Sequence, residues 1–404
     1  MLLHCDGFDH IQNLSWKYYT YRAGWDAVTV YPGRYDYGMC YRQMNTGFGE
    51  TNHVHYVGTQ SAVIVGLDFA AYSGLGISTP TYTANNFLRL DTSRGDPYTV
   101  CSVAINSQGK LEFWVGGAGH YGQGSKVAEG SDVFGMEVWH HLELLARVSG
   151  GWELRLNGAT YLQGSDSLNP HGDGDIGTVT LRWESFGFAG MQADNYTICN
   201  TEGTVCNTFL GPCRVLTYYP IANYGPNQWN KNAGVWNYDR VYERRNYPLI
   251  GNNFPDGDSS YIYSTIDSNL DVYDFEDVAN GTLIGVAPAT AVRCIDASGV
   301  YKVYIYNEGS ASSWLSSNVT ARAAASWSTD ARLSPFCTTL MLSENPIGYI
   351  PWTAGAVNSS RWGIRKVSGG GVYGLRCTQY ALQCLYQLLV PGGNTASYTG
   401  YLIR

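Results

Sequence analysis

Paired carboxylates are the first chemistry to look for, because two of them about 5 to 10 Å apart across a sugar make a glycoside hydrolase. On one strand such a pair falls at i and i+2, and Asp274-Phe275-Glu276, followed by Asp277, is the best candidate. Its acidic surroundings read as a solvated turn. Glu143, Glu153 and Glu184 fall in separate predicted strands and form no motif. The sequence holds no Gly-x-Ser-x-Gly elbow for a serine hydrolase, and Gly369 to Gly371 reads as a turn between strands rather than a phosphate cradle.

Metal ligands are the second possibility. His53-Val-His55 sets two imidazoles on one strand face, a spacing some zinc sites use, but no third ligand lies near in sequence and a hydrogen-bonded pair is expected. His140 and His141 must point to opposite faces. Asp173-Gly-Asp175 and Asp256-Gly-Asp258 are acidic turns able to hold a structural calcium. Asp267, Asn269 and Asp271 begin like a calcium loop without the later glycine and glutamate. Neither catalytic residues nor a bound cofactor are expected, a structural calcium aside.

Ten cysteines are spread along the chain without a Cys-x-x-Cys pair, which argues against a zinc ribbon or a thioredoxin-like site. Cys199 and Cys206 flank Asn200-Thr-Glu-Gly-Thr-Val205, a turn that brings them within range of a disulfide. Cys377 and Cys384 on one continuous strand would lie about 23 Å apart and on opposite faces. They cannot bond each other, and are expected at an interface where each meets another partner. Trp229, Trp236 and Tyr238 belong to an aromatic run from 217 to 253 with little alternation. That run is expected as an extended segment pinned to a neighbouring surface, of protein in preference to glycan.

The elements that would carry these residues are strands. Ser61 to Phe69 is a buried-strand run, Asn86 to Asp91 and Lys110 to Val115 alternate, and Val138 to Val148 reads as one long strand. Trp152-Glu-Leu-Arg-Leu156 runs into Asn157-Gly158, a strong hairpin signal. Later strands fall at 261–266, 282–286, 291–295, 300–306, 371–380 and 381–390. The composition agrees: 48 Gly, 32 Tyr and 12 Trp with only 14% charged residues suit short strands, tight turns and broad protein contacts. The fold expected is all-β, two jelly-roll-like β-sandwich domains spanning 1–212 and 213–404.

A net charge of −8 argues against nucleic acid as a partner, since the 25 Lys and Arg are mostly scattered singly; the cluster Arg240 to Arg245 is interrupted by acid. No run of eighteen apolar residues occurs, so no membrane insertion is expected. The opening Met1-Leu-Leu-His-Cys-Asp6 has no signal-peptide features.

The order of the pieces resembles a family of bacteriophage virion structural proteins with an N-terminal concanavalin A-like (laminin G-like) sandwich. The residues that carry this are Asp6-Gly7-Phe8-Asp9, Trp139, Trp152 to Gly158, Asp194-Asn-Tyr-Thr-Ile198, Asn207 to Val215, Gln228-Trp229 and Pro351-Trp352-Thr353. The resemblance implies a non-enzymatic particle component of fibre, collar, baseplate or capsid decoration. It would be assembled in the host cytoplasm, released on lysis, and held by contacts with itself and other virion proteins, a trimer being favoured. The alternative is a receptor-binding module for host-surface glycan, with a polysaccharide depolymerase behind it. Meeting oxidant after lysis, at least one disulfide is expected, within or between subunits.

Overall fold

The computed structural model describes residues 1–8, 19–21, 27–30, 34, 40–44, 50–72, 84–93, 98–106, 108–117, 124–133, 138–168, 172, 174–184, 190–231, 261–324 and 337–388. Among them the chain is almost entirely strand, with one short helix, Ala354–Asn358, capped by Thr353. It forms two compact units that meet in sequence at Cys213 and Arg214.

The first unit is a sandwich of two antiparallel sheets. One runs in the spatial order Ala159–Gly164, Trp152–Leu156, His140–Arg147, Ala62–Tyr72, Gly190–Asn200, Cys40–Met44, Ala27–Val30, with Leu2–Asp6 added beside Gly190–Asn200. We call this the eight-stranded sheet. The seven-stranded sheet runs Ser125–Val133, Lys110–Val115, Thr99–Asn106, Ala84–Asp91, Ile176–Glu184, Glu50–Gln60, Tyr19–Tyr21. Alternation decides which residues meet between the sheets. Leu111 and Phe113 turn inward, and the Phe113 ring stacks on Trp152 at 3.9 Å between centroids. Phe69 and Phe87 stack across the same core at 5.1 Å. At Asn157 and Gly158 the backbone has φ of 52° and 84°, the left-handed pair that a two-residue hairpin needs.

In the second unit twelve strands form one hydrogen-bonded network. The main path runs Pro220–Asn227, Leu270–Phe275, Ser360–Gly369, Gly299–Asn307, Val319–Ala323, Thr282–Cys294, Leu375–Gln387, Ile262–Ser264, Asn230–Lys231. Val319–Ala323 pairs antiparallel with Gly299–Asn307 and parallel with Thr282–Cys294, joining the two halves of the path. They close on a core in which Tyr380 sets its ring edge-on to Tyr273 and Phe275.

Two sequence expectations are corrected here. Residues 217–231 are not an irregular extended segment: most of them lie in the strands Cys213–Tyr218, Pro220–Asn227 and Asn230–Lys231, with Tyr219, Gln228 and Trp229 as the short links between. Trp229 does not face a neighbour; it is buried in the second core, its backbone N–H bonded to Asp271 and its indole N–H to the Asn269 carbonyl. Trp236, Tyr238, Asp256, Asp258 and the Arg240 to Arg245 cluster lie outside the described residues. Cys377 and Cys384 are fully buried in the same apolar cluster, so neither lies at a surface that a second subunit reaches. The reason is a bulge: Ala291 pairs Gln379 while Val292 pairs Cys377, and the extra residue, Thr378, restores one facing to both cysteines.

Candidate functional site

The outer face of the seven-stranded sheet carries a cross-strand set of polar groups with an aromatic among them. Because Leu111 and Phe113 point inward, Lys110, Glu112 and Trp114 point out. Strand register then sets one residue from each of five strands in a row: Thr180, Arg89, Ser102, Trp114, Lys126. A second row beside it holds Asn86, Ala104, Glu112 and Glu129.

Glu112 is the hub. Its Oε1 accepts from Asn106 Nδ2 and Lys126 Nζ, each at 3.1 Å, and its Oε2 accepts from Trp114 Nε1 at 3.0 Å. Lys126 also donates to Glu129 at 2.7 Å; this bond raises the ammonium's pKa and lowers the carboxyl's. Arg89 Nε donates to Asp91 at 2.9 Å. The centre of the face is covered, Arg89 and Glu112 being 3% exposed, while Lys126 and the half-buried Trp114 open toward solvent at one edge. An indole fixed by its own N–H, set among charged and hydroxyl groups, suits a sugar ring: the apolar face stacks and the hydroxyls bond. Sequence reasoning passed over Glu112, Trp114 and Arg89. The signal was the alternation of Lys110 to Val115, which puts glutamate and tryptophan on one polar face.

A second polar cluster lies on the outer face of the eight-stranded sheet. His141 Nδ1 is 2.7 Å from Asp68 Oδ1, and Asn195 Nδ2 donates to Asp68 Oδ2 at 2.8 Å. Arg34 pairs with Asp68 through its guanidinium and with Asp194 through its backbone N–H. Glu143 accepts the Gly211 N–H at 2.9 Å and lies 3.9 Å from His141 Nε2. All are buried, so the cluster ties strands together and offers no entry to a ligand. His140, on the opposite face, turns toward Phe69.

The remaining sequence candidates are spent on structure. Asp274 pairs with Arg361 at 3.3 Å and Glu276 accepts the Tyr219 N–H at 3.3 Å. Asp274 lies on a strand whose Phe275 is in the core, which corrects the loop expected there. Asp267 pairs with Lys366, and the Asn269 amide donates to the Gln228 carbonyl. Asp271 accepts from the Trp229 N–H and Tyr273 hydroxyl, so these three do not converge on a calcium. Asp175 accepts from Ser93. His55 packs against His4 with ring centroids 4.0 Å apart and planes tilted by 32°, while the His53 side chain lies outside what the structure describes. All ten cysteines are buried thiols outside any disulfide, and Cys199 and Cys206 lie thiol to thiol in a hydrogen bond. That bond lowers the Cys206 pKa and, with burial, pushes up that of Cys199.

The first unit, two antiparallel sheets face to face, has the build of a concanavalin-like β-sandwich. No protein-family model matches the chain, and no curated protein matches it. Solved structures with similarity include a cellulose-induced protein, Cip1, at 14% identity, covering 48% of this chain and 96% of that one, with a TM-score of 0.35. The carbohydrate-binding module CBM66 from Bacillus subtilis is 14% identical over 46% of this chain and 97% of its own, TM-score 0.29. Alginate lyase Aly36B is 12% identical over 46% and 95%, TM-score 0.31. Scores this low transfer no ligand, activity or residue role. They do correct one expectation: with an alginate lyase among the similar structures, a β-sandwich of this build gives no ground for setting catalysis aside.

Proposed function

We propose that the chain is a component of a bacteriophage particle whose first unit holds a host-surface glycan on the polar face of the seven-stranded sheet. The observation that carries the glycan reading is the half-buried Trp114 at the open edge of that face, its indole N–H held by Glu112 beside the exposed Lys126, with the buried Thr180, Arg89 and Ser102 of the same row behind them. The particle reading rests on the motifs running from Asp6-Gly-Phe8 to Pro351-Trp352-Thr353 and on a sparsely charged, Tyr-rich chain made for contact. In the particle the chain is a homo-oligomer, a trimer by preference, held also by other virion proteins.

Affinity electrophoresis against purified bacterial surface polysaccharides tests the first part. At least one polysaccharide should retard the folded protein, and Trp114→Ala should remove that retardation by about tenfold or more in affinity, as loss of a stacking platform does. Retardation unchanged in Trp114→Ala, or none with any polysaccharide, overturns it. Immunogold labelling of purified particles tests the second part, and unlabelled particles overturn it.

A further inference from the structure

The second unit presents another face of defined chemistry. Val303 and Ile305 turn into the core, as do Trp362 and Ile364 on the neighbouring strand. Lys302, Tyr304 and Tyr306 therefore face outward beside Arg361, Gly363 and Arg365. Register pairs Tyr306 with Arg361, Tyr304 with Gly363, and Lys302 with Arg365. The last is a like-charge pair directly opposite across two strands, an arrangement that costs stability by itself. Neither cation has an ion-pair partner among the described residues.

At the other end of the face, Arg361 is fixed between Asp274 at 3.3 Å and Glu308 at 3.0 Å, and its guanidinium lies 5.1 Å from the Tyr224 ring centre. Tyr224 is 46% exposed and packs near Tyr306 at 6.4 Å. Buried Arg361 Nε has no hydrogen-bond partner. The face thus has two uncompensated cations at one end, tyrosine rings along its middle, and two partly exposed carboxylates that can accept hydroxyls at the other.

We propose that this face of the second unit binds an anionic polysaccharide, with Lys302 and Arg365 holding a carboxylate, sulfate or phosphate substituent and Tyr304, Tyr306 and Tyr224 packing against the sugar rings. Charge complementarity chooses the occupant. An anion between Lys302 and Arg365 removes their mutual repulsion, and sugar hydroxyls add hydrogen bonds to Asp274 and Glu308 beside those from Arg361. Single-stranded DNA, whose backbone deoxyribose carries no free hydroxyl along the chain, offers nothing to those carboxylates, whereas a sulfated glucan brings ring hydroxyls beside its anions. The inference is separate from the glycan face of the first unit, and either can fail alone.

The test is titration of the full chain with dextran sulfate, neutral dextran and single-stranded DNA of similar length, with thermal melting to establish that each variant is folded. Dextran sulfate is expected to bind more tightly than both other polymers. Lys302→Gln with Arg365→Gln should weaken it by about tenfold or more, Arg365→Lys should retain most of the affinity, and Trp114→Ala should leave it unchanged. Should the double variant fail to fold, Lys302→Gln alone, on a half-exposed side chain, carries the same expectation at a smaller size. The proposal is overturned if these variants bind dextran sulfate as the native chain does, if neutral dextran binds equally well, or if DNA binds as tightly.

Discussion

His141 Nδ1 lies 2.7 Å from Asp68 Oδ1 across two adjacent strands of the first unit, and neither side chain is more than 2% exposed. Asp68 is also the partner of the Arg34 guanidinium and of the Asn195 amide. Removing it takes away the carboxylate that the buried Arg34 guanidinium pairs with, which costs far more than the pair itself contributes. Asp68→Ala should therefore destabilise the protein by about 3 to 5 kcal/mol. Glu153→Ala, which breaks a half-exposed pair with Arg155, should cost about 1 kcal/mol or less. Urea unfolding of the two variants checks the contrast, and equal midpoints would contradict it.

Alkaline pH should unfold the second unit sharply. Tyr273, Tyr301 and Tyr380 are fully buried, and desolvation is the first cause pushing each pKa above the ordinary value of 10.0. A group whose folded pKa is raised keeps its contribution intact below the unfolded value. That contribution is lost as pH climbs from there toward the folded value. Each tyrosine then withdraws about 1.4 kcal/mol per pH unit, and three acting together withdraw roughly 4, enough to unfold a domain of ordinary stability within a few units. Absorbance of tyrosinate and near-ultraviolet circular dichroism, followed together, should show these phenols ionising only as structure is lost. Ionisation of every tyrosine near pH 10 with the fold intact would overturn this.

Much of the first unit was legible because its strands alternate cleanly: Lys110 to Val115, Trp152 to Leu156 and the Asn157-Gly158 turn fall where the pattern puts them. The strands at 213–231 were not, since register shifts between Pro220 and Ala222 and between Asn223 and Asn227 break the period that marks a strand. Cys377 and Cys384 were misplaced for the same reason. The polar row on the seven-stranded sheet was legible only in part. Outward Glu112 and Trp114 follow from one strand, but their alignment with Arg89 and Lys126 depends on pairings between strands, which one sequence does not fix.

Glycine positions should separate sharply. At Gly363 a Cβ would stand 2.3 Å from the Asp271 carbonyl oxygen on the paired strand, so Gly363→Ala must push two backbones apart. A loss of about 3 kcal/mol is expected. At Gly355, in the short helix, a Cβ meets nothing within 4 Å, and Gly355→Ala should add about 0.5 to 1 kcal/mol. Thermal melts of both variants read the two signs.

Oxidation should join Cys199 to Cys206 before any other pair. The two thiols already share a hydrogen bond, with the Cys206 sulfur favoured as thiolate and Cys199 keeping its proton. Cys206 is thus the attacking sulfur. With glutathione disulfide as oxidant, its thiolate attacks one glutathione sulfur and releases the first glutathione thiol. Cys199 then displaces the second, so two protein thiols become one disulfide and two glutathiones are formed. The bridge closes a short loop and should stabilise the first unit by about 2.5 kcal/mol on the chain-entropy model. The other eight thiols are buried, and Cys101 and Cys377 are pushed well above the ordinary thiol range by desolvation, so they should stay reduced. Peptide mapping after treatment and alkylation checks this: the native chain should give a 199–206 cross-link, a rise in melting temperature and eight alkylated cysteines on unfolding. Cys199→Ser should give neither the cross-link nor the rise. Cross-linking first through any other cysteine, or ten alkylated thiols after exposure to the oxidant, would show that the pair is core filling.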